Sequence, residues 1–105
     1  FLMRALRAGG VGCISATANV NPRAIAELAA HWRESDADQR QAALDQVRSV
    51  FAQYQMIAGM KTAVAHFSKD PEWLRVRPPL MQLSADQQAK LLSELEKINF
   101  SMPGL

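Results

Sequence analysis

The sequence predicts a mostly α-helical chain with one short strand, the C-terminal fragment of an α/β TIM (β/α)8 barrel. Two observations carry this. Val11 to Ala16, VGCISA, is nearly continuous in small and β-branched apolar residues, whereas the apolar positions elsewhere recur at helical spacing. A helix leads through glycines into that run and a proline-started helix leaves it, which is one repeat of a parallel α/β architecture. The helices that follow bring no further strand, as suits the last strand of a barrel with a helical extension after it. Residues 1–34 are therefore read as the final helix–strand–helix segment and residues 35–105 as the C-terminal helical extension.

Phe1 to Arg7 sets Phe1, Leu2, Ala5 and Leu6 at helical spacing, and Gly9 with Gly10 supplies a stop. No capping residue precedes this helix, so the chain is expected to start inside one, as a piece of something longer. Val11 to Ala16 lacks the alternation of a half-solvated strand and predicts burial on both faces. Cys13 lies within that run and is expected to act as a small buried hydrophobe. Nothing else in the sequence offers this strand a partner. In isolation it is expected to pair with a second copy, to pack irregularly on the helices, or to fray.

In TANVNP, Asn21 suits an N-cap and Pro22 the first helical position, where its missing N–H is no loss. Ile25, Leu28, Ala29 and Trp32 then form one apolar stripe on a helix ending near Glu34. Ser35 or Asp36 caps a long helix bearing Ala43, Leu44, Val47, Val50, Phe51 and Tyr54 on one face. Ile57, Met60, Val64 and Phe67 make a shorter helix that SKDPEW ends. Lys69 to Leu83 contains three prolines and predicts an extended connection, with one helical turn at Pro71 to Leu74. Ser84 and Gln87 are spaced as a capping box for a last helix whose Leu91, Leu92, Leu95 and Ile98 face inward.

A chain of 105 residues can hold one modest domain with a core and is too short for two. With 49% hydrophobic and 21% charged residues it has the balance of a globular protein, which excludes a disordered tail. No apolar run approaches the roughly 20 residues of a bilayer span, and FLMRALRAGG lacks the pattern of a signal peptide. A cytoplasmic location without a membrane partner is expected. Twelve basic and ten acidic residues are scattered along the chain, giving a net charge of +2 and no support for a nucleic-acid partner.

Catalytic motifs are incomplete throughout. Gly10-Val11-Gly12 would need a further glycine where Ser15 stands, and it precedes a strand instead of following one, so a dinucleotide fingerprint is excluded. His31 and His66 stand alone on separate helices, without the spacing of metal ligands, and are expected at the surface or a helix end. No nucleophile elbow surrounds Ser15 or Thr17. A Schiff-base lysine must be desolvated to keep its amine neutral, and none of Lys61, Lys69, Lys90 and Lys97 is placed for that. Core packing accounts for Trp32, Trp73 and the methionines. Arg75 and Arg77 read as residues of a solvated extended segment, with a carboxylate clamp as the alternative. No catalytic residue, metal site or cofactor is assigned.

AGGVGCISATANVNP nevertheless resembles the last-strand segment of the dihydrodipicolinate synthase and N-acetylneuraminate lyase family, and RVRPPLMQLS resembles that family's segment before its final helix. The likeness runs over essentially the whole chain, with glycine pair, strand, Asn-Val, helix and Arg-Pro-Pro-Leu in the same order. It implies a class I lyase in which pyruvate, or a related 2-oxo acid, forms a Schiff base with a barrel lysine. In that family the lysine, a proton-relaying tyrosine and a carboxylate-holding loop all lie upstream of the part matched here. Of the pocket residues only Ile14 carries over, as the substrate-binding isoleucine beside the Schiff base, with Cys13 and Ser15 flanking it. The resemblance places Ser15 to Asn21 on the functional face and Gly9 to Gly12 on the opposite one. It further implies a homo-oligomer, and a piece that is inactive alone. The alternative is a free-standing, non-catalytic helical interaction module.

Overall fold

A computed structural model describes residues 1–105 and contains five α-helices: α1 (Leu2–Arg7), α2 (Pro22–His31), α3 (Ala37–Phe51), α4 (Met56–Ser68) and α5 (Ala85–Lys97). Single 3-10 turns occupy Ala16–Asn19 and Pro71–Leu74. The predicted strand does not form. Residues 10–15 have no regular structure, and Val11 and Ile14 are 103% and 107% exposed. Cys13, expected inside, is exposed as well. The cause lies in the backbone: a strand needs a neighbour for its N–H and C=O groups, and no other segment of this chain forms a strand beside it.

The length argued for one folded unit at most. The chain instead divides into two compact units, Phe1–Gln46 and Val47–Leu105, with the boundary inside α3. In the first, Leu2, Met3 and Leu6 of α1 meet Leu28 of α2 and Ala37 at the start of α3, with Ile25, Trp32 and Leu44 at the margin. Polar contacts fix the same elements. The Met3 N–H, an orphan donor of the first turn, donates to Gln41 Oε1 at 3.0 Å, and Arg7 pairs with Asp38 at 2.8 Å. Pro22 opens α2 behind Asn21, whose side chain makes no capping bond. Asp36 precedes α3, and its Oδ2 accepts from Arg40 Nε at 2.9 Å while Oδ1 is buried and unpartnered.

The second unit has its own core, in which Phe51, Leu91 and Leu95 are the largest fully buried side chains. Phe100 meets both Phe51 and Phe67 edge to face, with centroids 6.0 and 5.6 Å apart. Sequence spacing put Ile57 with Met60 on the inner face of α4; Met60 is buried, but Ile57 is 48% exposed, and Ala58, Gly59, Thr62, Ala63 and Ala65 are buried as well. Small side chains bring this helix close to its neighbours. An added Cβ at Gly59 would lie 3.6–3.8 Å from Tyr54, Phe51 and Leu91. Trp73 and Met81, expected in the core, are 48% and 79% exposed because the turn and extended segment that carry them run along the surface. The capping box of α5 forms as the sequence indicates, with Gln87 N to Ser84 Oγ at 3.2 Å and Ser84 N to Gln87 Oε1 at 3.0 Å.

Three helices end in the same reversal. After α1 the N–H groups of Gly9 and Gly10 return to Leu6 and Ala5, after α4 those of Lys69 and Asp70 to His66 and Ala65, and after α5 those of Asn99 and Phe100 to Glu96 and Leu95. Gly9, Lys69 and Asn99 all take a positive φ, of 87°, 58° and 53°. This is the Schellman arrangement, which satisfies the last carbonyls of a helix.

Candidate functional site

Ile14 and its neighbours lie in the connection between α1 and α2. The Schellman cap fixes one end, where the Gly10 N–H reaches Ala5 O at 2.8 Å. A 3-10 turn fixes the other: Ala18 N donates to Ser15 O, Val20 N and Asn21 N both donate to Thr17 O, and the Asn19 side chain donates to Ala16 O. Thr17 and Val20 anchor that turn by burial, and the Ser15 and Thr17 hydroxyls lie 2.9 Å apart. Between these fixed ends no backbone group of Val11 to Ile14 hydrogen-bonds within the chain. The result is a short, apolar, exposed segment, free along both edges and clamped at both ends. Ile14, Cys13 and Ser15 are adjacent here, and no charged side chain is held against them.

Other candidate groups are dispersed. His31 Nδ1 lies 2.8 Å from Glu34 Oε1 at the end of α2, and His66 is exposed on the last turn of α4, as their isolation in the sequence suggested. No lysine is buried; Lys61, the least exposed, has its ammonium 6.0 Å from the centre of the Trp73 ring. Arg75 pairs with Glu72 at 3.0 Å with both side chains in solvent, so the solvated reading of that segment holds. No three His, Cys, Asp or Glu side chains converge as a metal site would require. Tyr54 donates to Glu94, and burial, followed by that hydrogen bond and the nearby carboxylate charge, pushes its phenol up to about 12.

Sequence reasoning missed one concave feature. A groove of about 550 Å³ in the second unit is lined by His66 and Phe67 of α4, Ala89, Leu92, Ser93 and Glu96 of α5, and Phe100. The available signal was the stripe at 89, 92, 93 and 96, one face of α5 beside the core-facing stripe of Leu91 and Leu95, whereas Phe100 comes after the helix has ended. No helix is long and apolar enough to cross a membrane.

Comparison with known proteins adds three findings. The model of the dihydrodipicolinate synthetase family matches residues 1–98. A 4-hydroxy-tetrahydrodipicolinate synthase of Acidiphilium cryptum (strain JF-5) is 64% identical over 31 residues, which are 30% of this chain and 11% of that protein. No solved structure matches.

Proposed function

The chain belongs to the dihydrodipicolinate synthetase family, and from that premise we propose that it serves as the C-terminal part of a pyruvate-dependent, Schiff-base-forming lyase. One observation carries the reading: Val11 to Ile14 is apolar, solvent-exposed and without backbone partners, yet held at both ends by α1 and the 3-10 turn. Burying a Val or Ile side chain stabilises a fold by about 1.5–3 kcal/mol, and a segment open along both edges fits a slot between two parallel strands. In this reading Val11 to Ala16 is the last strand of a (β/α)8 barrel. Residues 1–34 close the barrel and residues 35–105 pack on it as a helical extension.

The chemistry then divides between this chain and the rest of the protein. A lysine elsewhere in the barrel, desolvated so that its amine is neutral, condenses with the ketone of a 2-oxo acid such as pyruvate. A tyrosine and a carboxylate-holding loop on other strands move protons and fix the acid. Ile14 contributes an apolar wall beside the imine, and Ser15 to Asn21 lie on the face where barrel strands end. The assembled enzyme is a cytoplasmic homo-oligomer acting on a small molecule, with neither nucleic acid nor membrane as partner.

Borohydride reduction in the presence of pyruvate tests this. The longer product of the reading frame that encodes this chain should retain a reduced pyruvyl adduct on a lysine outside residues 1–105, and the 105-residue chain alone should retain none. Capture by the isolated chain, or failure of the longer product to capture pyruvate, would overturn the reading. The all-helical structure favours one second reading, a free-standing non-catalytic helical interaction module. A reading frame with no upstream strand-borne lysine would select it.

A further inference from the structure

We propose that Thr17 is a positioning residue: its hydroxyl, acting through Ser15, fixes where Ile14 stands in the lyase proposed above, a reading on which this inference rests. Only two polar side chains are buried, Thr17 at 8% exposed and Thr62 at 3%. The Thr62 hydroxyl is spent on its own helix, donating to Ala58 O at 2.8 Å. Thr17 turns its hydroxyl instead to that of half-buried Ser15, 2.9 Å away. A buried hydroxyl needs a partner, and this one finds it on the residue that follows Ile14.

Both members of the pair are themselves held. The Thr17 carbonyl accepts from Val20 N at 3.1 Å and from Asn21 N at 2.8 Å, and the Ser15 carbonyl accepts from Ala18 N at 3.1 Å. Ser15 is extended, with φ −140° and ψ 134°, so the side chains on either side of it point away from its own. The burial follows that alternation: Ser15 and Thr17 are partly or fully buried, while Ile14 and Ala16 are exposed. From Ile14 back to Val11 no backbone group bonds within the chain, so the hydroxyl pair is the last fastening before Ile14. The two Cα atoms of Ile14 and Ser15 are about 3.8 Å apart, and a twist at Ser15 swings the Ile14 side chain with it. A wall beside a reacting group must keep its place within about 0.5 Å.

The test uses the longer product of the reading frame and reads the pyruvate concentration at which borohydride trapping is half-maximal. Thr17→Val keeps the shape and removes the hydroxyl, and should raise that concentration up to about tenfold, the worth of one hydrogen bond. Ser15→Ala breaks the same bond from its less buried side and should do the same, so it decides the matter if the valine variant does not fold. The double variant should be no worse than either single one, and Thr17→Ser should restore the original value. Leu6→Ala removes packing from the same core and should lower stability without moving the half-saturation. Unchanged half-saturation in Ser15→Ala, additive losses in the double variant, or an equal shift in Leu6→Ala would overturn this proposal and leave the lyase reading standing. Absence of trapping in the unsubstituted product would overturn both.

Discussion

Tyr54 donates its hydroxyl proton to Glu94 across 2.8 Å, joining residues 40 positions apart in sequence, and Lys90 stands 4.0 Å from the same carboxylate. The bond pins the turn after α3 to the middle of α5. It also makes the second unit sensitive to alkali. The phenol is raised from 10.0 to about 12 in the folded chain. In the unfolded chain it ionises near its ordinary value, about 10. The neutral form is the one the fold favours, so this stabilisation is complete below pH of about 10 and is lost as pH rises toward 12. Tyr54 is the single tyrosine, so tyrosinate absorbance should report one late titration. Tyr54→Phe should cost about 1 kcal/mol at neutral pH and flatten urea stability across that alkaline window.

The three helix-ending reversals respond differently to substitution. Lys69 holds a φ of 58° without the help of a glycine. Left-handed backbone costs an ordinary residue about 1 kcal/mol or more, so Lys69→Gly should raise the unfolding free energy, read from urea denaturation, by about that much. Gly9→Ala, at a φ of 87°, should lower it by a similar amount.

Gly10 and Gly12 separate a crowded glycine from an open one. A Cβ at Gly10 would sit 2.8 Å from the Ala5 carbonyl oxygen, whereas one at Gly12 meets nothing within 4 Å. Gly10→Ala should destabilise the first unit, read as faster amide exchange in α1, and Gly12→Ala should leave exchange there unchanged. Gly59→Ala tests the opposite sense. The site offers ordinary van der Waals contacts to a methyl group, and alanine in a helix interior is favoured over glycine by about 1 kcal/mol, so thermal stability should rise.

Ile14 distinguishes the chain from the larger protein proposed above. Ile14→Asp alters a fully exposed side chain, and surface changes of that kind stay within about 0.5 kcal/mol. In the 105-residue chain its denaturation curve should match that of the parent sequence. In the longer product the same substitution should abolish borohydride capture of pyruvate.

The helices and their starts were readable because each is specified locally. Ser84 and Gln87 announce the capping box they form, Pro22 marks the first turn of α2, and Gly9 and Gly10 mark the end of α1. Lys69 gave no sign of its left-handed conformation, since it is set by hydrogen bonds that the Lys69 and Asp70 N–H groups donate to the His66 and Ala65 carbonyls once the helix has formed. Ile57 was misplaced because a helix rich in alanine and glycine can turn more than one face inward, and packing decides which. Val11 to Ala16 was recognised as strand-forming material, but strand formation depends on a neighbour that its own residues cannot supply. The groove stayed hidden for a related reason: Phe67 and Phe100 become neighbours only through the course of α4, α5 and the turn at Asn99.

The unpaired stretch from Val11 to Ile14 also bears on how the first unit would respond to being cut. An endoprotease needs an extended, accessible peptide that it can draw into its own cleft, and residues 11–14 meet that need without any prior unfolding. The stretch is a tether, not a strut. Leu2, Met3 and Leu6 hold α1 against Leu28 and Ala37 through side chains on either side of the cleavage point. A nicked chain would therefore run as two peptides under denaturing conditions while α1 stayed docked in the native state.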